Sequence, residues 1–106
     1  MDALPTNLEA VVTDGDISVV RQKTVGGWLV MVAHASFQHF GTTFVFDSPW
    51  QWELANFPGT IEAVVVDTGY TVKRLRVIGG WVVIILKFDV IDIEFVYDPQ
   101  FNWQLA

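Results

Sequence analysis

At 106 residues, with a hydrophobic fraction of 52% and a charged fraction of 17%, the chain has the length of one domain and more apolar material than such a domain ordinarily needs. A net charge of −6 opposes nucleic-acid phosphate at long range, and the lack of cysteine excludes disulfides, thiol catalysis and thiolate metal sites. The apolar surplus points to a cavity or an interface, and a homo-oligomer is expected, a dimer first.

The longest apolar runs, Trp28 to Ala33 and Trp81 to Leu86, fall far short of the ~20 residues of a membrane-spanning helix. The start, Met-Asp-Ala-Leu-Pro-Thr-Asn, has neither the basic residues nor the apolar stretch of a secretory leader. Expectation therefore places the protein in the cytoplasm, with no membrane and no nucleic acid among its partners.

The sequence reads as one β unit written twice, repeat 1 over 4–55 and repeat 2 over 57–106, within a single domain 1–106. Laying Leu8 to Trp28 over Ile61 to Trp81, a shift of 53, gives ten identities in 21 positions. After a two-residue deletion the shift becomes 51, and Phe44-Val45-Phe46-Asp47 falls on Phe95-Val96-Tyr97-Asp98. Trp52 and Trp103 then coincide.

In chain order, a first strand is predicted at Leu8 to Thr13 and at Ile61 to Val66, where β-branched residues crowd between turn-formers. Three-residue loops, Asp14-Gly15-Asp16 and Asp67-Thr68-Gly69, lead to a second strand over Ile17 to Val25 and Tyr70 to Ile78. Gly26-Gly27 and Gly79-Gly80 fit the two central positions of a type I′ hairpin turn. A third strand follows from Trp28 and Trp81, and a fourth centres on Thr42 to Phe46 and Ile91 to Tyr97. The alternation in Trp50 to Leu54 and Phe101 to Leu105 predicts a fifth. The fold class is all-β: an internally duplicated four- to five-stranded antiparallel meander, closing as a pseudo-twofold barrel or sandwich.

With the glycines central, Arg21 faces Val32 and Lys23 faces Val30, and two faces separate. Val20, Gln22, Thr24, Leu29, Met31 and Ala33 form one, with Lys73, Leu75, Val77, Val82, Ile84 and Leu86 as counterparts. This face is expected to be the core. The other, carrying Arg21, Lys23, Trp28 and His34, with Arg74, Arg76, Trp81 and Lys87 as counterparts, has the mixed composition of a ligand surface or wet interface.

Five of the six cations, Arg21, Lys23, Lys73, Arg74 and Arg76, occupy second strands. The loops set Glu9 opposite Arg21 and Glu62 opposite Arg74, so cross-strand ion pairs account for those two arginines. Lys23 and Arg76 are left without a structural partner. They join Trp28, Trp81, His34 and Lys87 as the candidate ligand-binding set, suited to an anionic group held by cations over indole rings.

The tryptophans otherwise read as core or interface. His34 and His39, five apart, point to opposite faces of a strand and make no chelating pair, so neither metal nor cofactor is expected. Asp89, Asp92, Glu94 and Asp98 interleave with apolar residues as a solvated strand face. No phosphate loop or nucleophile motif is present. The leading expectation is an interaction protein of inhibitor, immunity or accessory type acting on a protein partner. The alternative is a β-barrel binding an apolar ligand with an anionic group, and a small enzyme with a sparse site comes third.

Overall fold

The computed structural model describes residues 8–57, 59–88 and 90–105; the start of repeat 1, Pro58, Asp89 and Ala106 lie outside them. Eight strands are present: β1 (Glu9–Asp14), β2 (Ile17–Thr24), β3 (Gly27–His34), β4 (Gly41–Phe46), β5 (Ile61–Val66), β6 (Thr71–Val77), β7 (Gly80–Lys87) and β8 (Val90–Tyr97). They form two antiparallel four-stranded sheets, β1-β2-β3-β4 and β5-β6-β7-β8, and neither closes on itself. Among the described residues no helix is long and apolar enough to cross a membrane.

Both central hairpins turn one residue earlier than the glycine pairs predict. Thr24 pairs with Gly27 and Val77 with Gly80, so Val25-Gly26 and Ile78-Gly79 are the central residues. Only the second of each takes positive φ, 85° at Gly26 and 80° at Gly79. That is the requirement of a type II turn, and type I′ would need positive φ at both. Every pair downstream slides by two. Arg21 faces Val30, and Lys23 and Arg76 face Trp28 and Trp81. A slide of two preserves side-chain parity, so the predicted faces survive.

Glu9 does lie opposite Arg21, and Glu62 opposite Arg74. The route differs from the predicted three-residue loop. Asp14 pairs with Ile17 across a tighter turn, and a bulge between Ala10 and Val12 restores the register. A bulge at the aligned place, between Ala63 and Val65, does the same in the second sheet.

The predicted fifth strands are absent. Asp47 draws the following backbone inward with its carboxylate, and Trp50 adopts a φ of 63°. Phe101, at the aligned position, adopts 55°. A left-handed residue ends strand geometry, and the aromatic alternation serves a loop folded back over its own sheet.

One core joins the two sheets. From the first come Ile17, Val19, Trp28, Val30, Val32 and Val45; from the second, Leu75, Val77, Val82, Ile84 and Ile91. These sets lie on unlike faces. In the first sheet the mixed face with Arg21 and Trp28 joins the shared core, contrary to expectation, while in the second sheet the apolar face joins it and Arg74, Trp81 and Val83 on the mixed face are buried apart from it. Pseudo-twofold closure would bury aligned positions alike, yet Ile91 is 8% exposed where Phe40, its counterpart, is 61% exposed. On the other face the order inverts, with Val45 at 0% and Val96 at 39%.

Contact between the sheets runs mainly through β4 and β8. Gly41 enables it, since a Cβ there would overlap Cγ1 of Ile93 and lie 3.2 Å from Cγ2 of Ile91. The residue aligned with Gly41 in the second sheet is Asp92, which is exposed.

Candidate functional site

On the buried mixed face the Arg21 cation is engaged through its two terminal nitrogens, while its buried Nε has no hydrogen-bond partner among the described residues. The Arg21 guanidinium lies 3.8 Å from the Trp28 ring centroid and 4.8 Å from that of Trp52. It donates to the Trp52 carbonyl at 2.6 Å and to Glu9 at 3.5 Å. Asp47 completes the arrangement, accepting from Trp28 Nε1 at 2.8 Å and from the backbone N–H of Gln51 and Trp52 at 2.8 and 2.7 Å. The two indoles meet edge to face at 5.8 Å, a favoured aromatic geometry.

The second sheet carries the same assembly. Arg74 lies 3.8 Å from Trp81 and 4.8 Å from Trp103. It donates to the Trp103 carbonyl at 2.6 Å and to Glu62 at 3.2 Å. Asp98 accepts from Trp81 Nε1 at 3.0 Å and from the N–H groups of Asn102 and Trp103 at 2.9 Å each. The Asn102 N–H foremost, then the Trp81 indole, the Trp103 N–H and the Arg74 charge hold the Asp98 carboxyl below the usual carboxylate range, against an opposing effect of partial burial. Asp98 is therefore an anchor for the chain after β8, whereas Asp92 and Glu94 are exposed as expected. The sequence signal for both anchors was the shared Asp closing Phe-Val-Phe-Asp and Phe-Val-Tyr-Asp.

The six candidate residues do not converge. Trp28 and Trp81 are buried members of the two assemblies. Lys23 places its ammonium 4.4 Å from the Trp50 ring, and Arg76 its guanidinium 3.8 Å from Phe101. Lys23, Trp28, Trp50 and Trp52 line an open cleft of about 680 Å³ with Glu9 and Glu53. His34 lies at the opposite end of the hairpin, opposite Ile17. It stacks on Phe37 at 4.1 Å, and its Nδ1 accepts from the Ser36 N–H at 3.1 Å. A cleft of about 390 Å³ along the seam between the sheets joins it to Asp14, Asp16 and Lys73. Lys87 is exposed, 6.0 Å from Phe88.

The surface that sequence reasoning assigned to the core is the solvent face of the first sheet. Ala10, Thr13, Ser18, Val20, Gln22, Thr24, Leu29, Met31, Ala33, Thr42, Phe44 and Phe46 share it by register, and none is charged. An apolar groove of about 300 Å³ runs between Leu8, Val20, Met31 and Phe40. Phe44 and Phe46 extend it, 47% and 72% exposed.

Fold and surfaces together define an all-β protein of two open sheets, each fastened by an arginine held between two tryptophans. No family model matches the sequence, and neither the curated proteins nor the solved structures give a match.

Proposed function

We propose that the chain is an internally duplicated, cytoplasmic interaction protein that acts on a protein partner through the outer face of its first sheet. The observation that carries this reading is the charge-free composition of that face, with Phe40, Phe44 and Phe46 at its margin. Contiguous exposed apolar surface of this kind marks interaction sites. Support for duplication comes from the common strand order, the paired bulges and the two matching Arg–Trp–Asp assemblies. Of the two architectures expected, two open sheets that share one core favour the sandwich.

The reading of a small anionic ligand has less behind it. The cleft around Lys23 opens to solvent, and Arg21 within it is already committed to Glu9 and to the Trp52 carbonyl. A photo-crosslinking side chain at position 31 tests the interaction reading inside cells expressing the full chain. Adducts of discrete mass from position 31, and none from position 87, are expected. Adducts confined to position 87 would refute the assignment.

A further inference from the structure

The unlike-face stacking raises a question that a twofold arrangement would not. The outer face of the first sheet is aligned with the face that the second sheet buries, and the outer face of the second with the one that the first buries. A second copy could in principle continue the stack head to tail, and such heterologous contacts run on into filaments unless something stops them.

Asp92 and Glu94 oppose such a contact, since each would carry a charge into it. They stand on the outer face of the second sheet where the first has Gly41 and Thr43, and both are exposed. The sheets meet where Gly41 presents no side chain to Ile91 and Ile93. An aspartate at that point would be forced against the partner sheet with its charge unpaired. The head-to-tail route is closed from one side only, and the charge-free face of the first sheet remains open.

We propose that this face binds its own counterpart on a second copy of the chain, giving a closed twofold dimer. The inference rests on the reading of the face as an interaction surface and names its partner. A surface without charges meets itself across a twofold axis with no like-charge repulsion. Four strands spaced at about 4.8 Å, each six to eight residues long, give a footprint of roughly 450 Å² per copy before side-chain relief. Two copies then bury roughly 900 Å² before that relief, above the ~800 Å² under which most chance contacts fall and in the range of a weak, concentration-dependent interface. Because the interface is isologous, one substitution alters it twice.

Sedimentation equilibrium of the full chain over a wide concentration range tests this. The wild type should rise from 11.9 kDa to twice that mass and go no further. Met31→Glu and Thr42→Glu, both at solvent-side positions, should stay at 11.9 kDa with unchanged far-UV circular dichroism, weakening association at least about tenfold. A wild-type ladder of higher masses, or a dimer indifferent to both glutamates, would overturn the proposal. So would a monomer at every concentration, and thiol labelling of Phe40→Cys then separates the two readings. Rapid labelling of that monomer leaves the face open to a different protein, whereas protection shows that the chain covers it and removes the interaction reading too.

Discussion

Replacing Gly41 with alanine isolates the contact on which the stacking depends. In an extended strand, Gly→Ala by itself stabilises by about 0.4–1 kcal/mol, because the unfolded chain loses freedom. At Gly41 the new methyl would overlap Ile93 Cγ1 and crowd Ile91 Cγ2 at 3.2 Å. Both isoleucines are fixed by the shared core, so the clash falls on packed side chains and overpacking of about 1–3 kcal/mol is expected. The steric term exceeds the entropic one. Gly41→Ala should therefore destabilise the protein, lowering Tm by about 4–8 °C for each kcal/mol lost. Urea denaturation followed by tryptophan fluorescence reads this directly. Ile93→Ala removes the obstructing carbon, so the double variant should be more stable than the sum of the single losses by at least about 0.5 kcal/mol. Asp92→Ala, at the aligned but exposed position, should fall within about 0.5 kcal/mol of wild type. A neutral or stabilising Gly41→Ala, or strictly additive losses with Ile93→Ala, would refute the account of how the sheets meet.

The arginine assemblies and the dimer give further expectations. Arg21→Lys keeps the charge but loses the fork that reaches the Trp52 carbonyl; leaving that buried acceptor unpaired should cost about 1–3 kcal/mol in chemical denaturation. Asp98 has a lowered pKa in the folded state, so its contribution is fully present above the ordinary carboxylate pKa and is lost as pH falls through the folded value. Thermal melts should therefore steepen in their decline below about pH 4 in wild type, and less so in Asp98→Asn. The dimer predicts that Met31→Glu halves the high-concentration mass without altering the far-UV spectrum.

Much of the fold is legible because strand period, glycine turns and cross-strand charges are local signals. The Glu9–Arg21 and Glu62–Arg74 pairs follow from hairpin counting, even though a tight turn plus a bulge replaces the loop assumed. The face assignments withstand a two-residue error in register because parity repeats every two residues. The identity of the buried face was not legible. A hairpin face with Arg21, Lys23 and His34 reads as wet, and only the geometry places the guanidinium between two indoles with its terminal nitrogens engaged. The Trp50–Leu54 and Phe101–Leu105 alternation misled for a related reason. Asp47 and Asp98 turn those segments back by accepting their N–H groups, which periodicity does not register. The candidate set dispersed because residues sharing one face of a hairpin can stand at its two ends, as Lys23 and His34 do. What distinguishes the sheets, Gly41 against Asp92, stood in the alignment, but its meaning depends on which strands touch.

Four single-cysteine variants in a chain that otherwise has none test the unlike-face stacking most directly. At low protein concentration, Phe40→Cys and Val96→Cys should react with a maleimide at rates near those of a free thiol, and Ile91→Cys and Val45→Cys only as fast as the chain opens. Equal rates within each aligned pair, 40 with 91 and 45 with 96, would mean that the sheets bury like faces and would contradict the account.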